Sequence, residues 1–203
     1  MTSLNKNDKI IYIHIPKCAG SSIERVSWLG GAGHVTYKHL QSKYNMKDYF
    51  VFTSIRNPLD RLVSAYFHFV QYPLKTNESE NDQNCYRYIK EHYSKFENKK
   101  LKGFPEFIMN FPEKFLTTIN HFRPQRYFLE NSKGNVQLDY VMKLDTLQND
   151  FNIICDKLGK DREELRHAKK SEHLKYLDYY DNDLVDIAMH YYEEDFILYD
   201  GFI

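Results

Sequence analysis

Residues 10–22, I-I-Y-I-H-I-P-K-C-A-G-S-S, limit what this chain can fold into more than any other stretch. Ile10 to Ile15 is a short apolar, β-branched run with no helical stripe, which predicts a buried parallel strand. Pro16 ends that strand, and Pro16-Lys17-Cys18-Ala19-Gly20 makes a tight turn. The hydroxyl pair Ser21 and Ser22, with Ile23 and Glu24, leads into a helix predicted over residues 22–29, where an acidic group in the first turn suits the dipole. Gly30 and Gly31 suit its C-terminal cap. A strand, a small-residue turn carrying a lysine, and a helix N-terminus together make an anion cradle. Several backbone N–H groups converge there, and the dipole adds positive potential. The expected ligand is a phosphate.

The glycine pattern is not the G-x-x-x-x-G-K-[ST] of nucleoside triphosphatases, because Lys17 precedes Gly20 and no Gly-Lys-Ser/Thr occurs. A second strand is predicted over residues 49–55 (Y-F-V-F-T-S-I) and is followed by R-N-P-L-D-R-L-V-S. Asn57 is a good N-cap and Pro58 fits the first helical position. Leu59, Leu62, Val63, Tyr66 and Val70 form one apolar stripe. Asp60, Ser64 and His68 lie four apart on a polar face, so the Ser64 hydroxyl is placed to share an anion with Arg56. Arg61 is expected to face solvent.

P-K-x-x-x-S-S after a strand, with R-N-P-x-x-R-x-x-S some tens of residues later, resembles the two cofactor motifs of sulfotransferases that use 3′-phosphoadenosine 5′-phosphosulfate (PAPS). The resemblance is closest to the carbohydrate enzymes of the uronosyl 2-O type. It implies a P-loop NTPase-like three-layer α/β domain, with a central parallel sheet flanked by helices and the cofactor at the carboxyl ends of the strands. It also implies that Lys17, Cys18, Ala19, Gly20, Ser21 and Ser22 hold the 5′-phosphosulfate, and that Arg56 and Ser64 hold the 3′-phosphate. Lys17 then stabilises the charge that grows on the leaving phosphate. Cys18 reads as a small residue rather than a nucleophile.

An acceptor hydroxyl must lose its proton as it attacks sulfur, and histidine titrates in the useful range. The run G-H-V at Gly33, His34 and Val35 resembles the segment that carries the base in the uronosyl 2-O-sulfotransferases, although Ala32 stands where those enzymes show a second histidine. His121 is the rival base. The block H-F-R-P-Q resembles one in related carbohydrate sulfotransferases, where Arg123 and Gln125 could orient a polar acceptor. His14, inside the first strand, reads as structural. The cluster His167, Lys169, Lys170, Ser171 and His173 reads either as a 3′-phosphate or adenine contact or as a solvated face.

The 203 residues suit a single domain, 1–203. It is expected to have a polar N-terminal tail over 1–9 and a mobile loop over 73–84. Helices are expected over 85–96, 104–111, 147–158 (capped by Gly159) and 182–196, and a third strand over 138–144. Lys+Arg 28 balances Asp+Glu 28, so no global field favours nucleic acid or a membrane, and neither is expected as a partner. Residues 1–9 have no signal-peptide core, and no apolar run is long enough to span a bilayer. With three cysteines and no C-x-x-C spacing, a cytoplasmic location is expected and no metal is expected. The expected activity is sulfuryl transfer from PAPS to an acceptor hydroxyl on a sugar or polysaccharide. The alternatives are a small-molecule kinase, or a module that binds adenosine 3′,5′-bisphosphate (PAP) without transfer.

Overall fold

In the computed structural model, which describes residues 3–31, 33–71, 79–93, 103–166 and 173–201, the described strands form one sheet. Its order is β1 (Ser3–Asn5), β2 (Ile10–Ile13), β3 (Phe50–Ile55) and β4 (Tyr140–Lys143). β2, β3 and β4 are parallel, with Tyr12 opposite Phe52 and Phe52 opposite Tyr140. The three strands expected from their β-branched and aromatic runs are therefore present. β1 was not expected: residues 3–5 belong to the polar stretch read as a tail, yet they pair antiparallel with β2. Leu4 N–H also bonds the Gly30 carbonyl at 3.0 Å.

The chain divides into two units, the first of Met1–Arg56, Gln125–Lys169 and Leu198–Ile203, the second of Asn57–Pro124 and Lys170–Ile197. The sheet belongs to the first unit, and its side chains alternate between faces as the pleat requires. Ile11, Ile13, Val51 and Ile55 pack with Tyr37 and Leu40 of α2 (Tyr37–Gln41) and with Phe128 and Leu129 of α7 (Gln125–Leu129). Ile10, Tyr12, Phe52 and Met142 pack on the opposite side with Ile23 of α1 (Gly20–Ile23) and with Phe151 and Ile154 of α8 (Leu147–Leu158). Helices thus cover both faces of a mostly parallel sheet. Each fully buried large side chain here contributes about 1.5–3 kcal/mol. α8 ends as expected at Gly159 in the left-handed region (φ 62), with Lys160 N–H on the Cys155 carbonyl at 2.9 Å. α1 is shorter than predicted. After Ile23 the chain continues as 3.2–3.3 Å three-residue turns at Val26 and Leu29, in keeping with the β-branched Val26 and with Ser27, both weak helix formers.

The second unit is helical and aromatic: α3 (Pro58–Gln71), α4 (Glu80–His92), α5 (Gly103–Met109), α6 (Phe115–Thr118) and most of α9 (Asn182–Asp200). Two expectations are corrected here. The stretch expected as a mobile loop over 73–84 is helical from Glu80, because Ser79 caps α4 by accepting from Asp82 N–H; 73–78 lie outside the described residues. Arg61, expected to be solvated, is only 2% exposed. α3 is buried on nearly every side, and a guanidinium nitrogen of Arg61 lies 3.5 Å from the Asn120 carbonyl.

Candidate active site

The cradle turn leaves β2 through backbone that only strain or glycine normally provides. Lys17 (φ 68) and Ala19 (φ 63, ψ 14) are both left-handed although neither is glycine, and Gly20 then starts α1. A left-handed residue followed by a helical one turns successive N–H groups toward one point, a backbone nest. The N–H groups of Ala19, Gly20 and Ser21 donate to no group of the described residues, which suits a turn built to receive an anion. Cys18 closes the turn from inside. Its thiol is fully buried and bonds Gln125 Oε1 at 3.2 Å, so it is a packing residue with no access to a substrate.

The end of β3 braces this turn. Thr53 Oγ1 donates to the Ile13 carbonyl at 2.7 Å, Ser54 Oγ donates to the Cys18 carbonyl, and Tyr12 OH meets Ser54 Oγ at 2.7 Å. Burial pushes the Tyr12 phenol far above its ordinary value and keeps it neutral. Arg56 follows directly, and its Nη1 donates to the Lys17 carbonyl at 3.1 Å. The first motif's lysine turn and the second motif's arginine are therefore brought together at the carboxyl ends of two adjacent parallel strands. Ser22, on the next turn of the chain, lines a cavity of about 250 Å³ with Leu147, Gln148, Asn149 and Leu165.

Gln125, expected to orient an acceptor, is bonded to the Arg56 backbone. It is fully buried, its Oε1 accepts from Arg56 N–H at 3.0 Å, and its Nε2 donates to the Arg56 carbonyl at 2.8 Å. Its amide mimics a strand partner and fixes Arg56. Ser64 lies on α3 and is 2% exposed. His121 and Arg123 belong to the second unit. There the His121 ring stacks on His68 at 4.7 Å, and its Nδ1 lies 3.7 Å from Asp82 Oδ1. His167, Lys169, Lys170, Ser171 and Ala32 lie outside the described residues.

His34 is exposed and belongs to the first unit. Its Nδ1 lies 3.3 Å from the His14 carbonyl, which can only accept, so Nδ1 carries the proton and the Nε2 lone pair is the basic one. Its ring meets the His14 ring edge-on at 4.3 Å. His14, the residue just past β2, is thus the histidine that neighbours His34. His14 in turn bonds Glu24 Oε1 through Nδ1 at 2.8 Å. Burial opposes ionisation of Glu24, but the bonds from His14, Ser3 and Gly33 outweigh it and hold the carboxyl below its ordinary value.

A family model described as the sulfotransferase family matches residues 2–202. The chain belongs to the sulfotransferase family. Comparisons with curated proteins and with solved structures find no match. Membership makes the chain a transferase of sulfuryl groups that requires a hydroxyl-bearing acceptor, and a kinase reading loses its ground. For a sulfotransferase, what sequence reasoning missed are the groups that hold the site rather than line it: Glu24, Thr53 and Ser54, and the bonds by which Gln125, expected at the acceptor, braces Arg56. Their signal, a polar residue within or beside a strongly apolar strand, was visible only at Ser54 and Thr53.

Proposed function

We propose that this sulfotransferase moves the sulfuryl group of PAPS to a hydroxyl of a carbohydrate. What supports the donor assignment most is the Arg56 guanidinium on the Lys17 carbonyl, because it sets a second cationic group beside the cradle turn. A triphosphate donor needs one anion site, whereas PAPS has charge at both its 5′ and 3′ positions. The unbonded N–H groups of Ala19, Gly20 and Ser21 fit the 5′-phosphosulfate. Arg56 is assigned to the 3′-phosphate, since a guanidinium grips phosphate through parallel bonds. The donor contributes the sulfuryl group and PAP as leaving group.

The chain's residues do the rest. His34 takes the acceptor proton at Nε2 as the acceptor oxygen bonds to sulfur. Lys17 stabilises the negative charge that develops on the bridging oxygen as the sulfur–oxygen bond to the phosphate breaks. Three buried free thiols suit a reducing cytoplasm, and no helix of the described residues is long and apolar enough to cross a membrane. The test is transfer of labelled sulfate from PAPS onto a panel of glycans. Label on a glycan with wild type and none with Lys17→Ala supports the reading. A chain that binds PAP yet labels nothing is instead a binding module.

A further inference from the structure

The Glu24 carboxylate gathers three donors beside the cradle, and no step above uses it. One carboxylate oxygen, Oε1, receives Ser3 Oγ at 3.0 Å, His14 Nδ1 at 2.8 Å and Gly33 N–H at 3.2 Å. These donors come from the edge strand, from the residue just past β2 and from the loop of His34. A carboxylate accepts and never donates, so His14 is held with its proton on Nδ1. Gly33 has φ 140, a backbone conformation that a side chain would disfavour, and there its N–H reaches Glu24. The next residue, His34, rests its Nδ1–H on the His14 carbonyl and its ring against the His14 ring. His14 has no room to turn away, because a Cβ on Gly20 would fall 1.9 Å from its Nε2.

We propose that Glu24 and His14 are positioning residues for His34, holding its Nδ1–H inward so that the Nε2 lone pair is the one presented for catalysis. The arrangement follows the rule that a working imidazole is oriented by what its other nitrogen bonds. The inference rests on the reading of His34 as the base, but its geometric content is independent of that reading.

Long-range proton–nitrogen spectra of the 203-residue chain with PAP bound test it. Wild type is expected to show both His14 and His34 as Nδ1–H tautomers. Either one found as Nε2–H overturns the proposal without any variant. In Glu24→Ala both are expected to shift toward Nε2–H, and in Glu24→Gln, which keeps an acceptor oxygen, both are expected to return. Unchanged tautomers in a folded Glu24→Ala also overturn it. Turnover on a glycan labelled in the panel should fall roughly 10- to 100-fold in Glu24→Ala, with PAP affinity nearly unchanged, and recover in Glu24→Gln. A wild-type chain that does not bind PAP refutes the sulfotransferase mechanism and leaves the tautomer result to stand or fall on its own.

Discussion

Lys17 and Ala19 adopt positive φ at a cost of about 1–2 kcal/mol each. A turn keeps such strain where the direction of its N–H groups matters more than its ease of formation. In the proposed mechanism the two cationic residues at this turn have separable tasks. Lys17→Ala should lower sulfuryl transfer by about 10²–10³ while weakening PAP binding much less, because the backbone donors remain. Arg56→Ala should show the reverse pattern, weakening PAP binding by roughly 10- to 100-fold and abolishing preference over ATP. Calorimetry beside transfer rates checks both, and identical losses in the two variants contradict the division. Gly20 tests the packing beneath them. Gly20→Ala drives a methyl into the His14 ring, which should cost about 1–3 kcal/mol, read as a drop of about 2–4 °C in Tm for each kcal/mol. An unchanged melt contradicts the close approach.

At the scale of elements, Arg56 is held by Gln125, 69 residues away and the first residue of α7. Gln125→Leu removes the two amide bonds to the part-buried N–H and carbonyl of Arg56, at about 1 kcal/mol each. Urea unfolding should show that loss together with weaker PAP binding, and unchanged values in both contradict the bracing role. β2, β3 and β4 were legible because each is an apolar or β-branched run. α8 was legible because its stripe and its capping glycine agree. β1 was not legible, since Ser3-Leu4-Asn5 pairs through backbone groups that any side chains allow. Arg61 was misread because one apolar stripe implied one buried face, whereas α3 is enclosed on nearly all sides. Glu24 and Gln125 were not legible as supports, because their partners meet them only after the chain has folded.

At the scale of the molecule, equal numbers of acidic and basic residues leave recognition to local groups. The cysteine thiols are enclosed: Cys18, Cys85 and Cys155 are all buried, and burial pushes the Cys85 and Cys155 thiols above their ordinary values. A thiol reagent should therefore label none of the three in the native chain and all three in denaturant, and fast labelling of native Cys18 contradicts the cradle packing. The central claim is that two adjacent strand ends grip one nucleotide carrying anionic groups at both its 5′ and 3′ positions. Thermal shift of the full chain with PAP and with ATP at equal concentration tests it most directly. A clearly larger stabilisation by PAP, lost in Arg56→Ala, is the predicted result; equal stabilisation by ATP contradicts it.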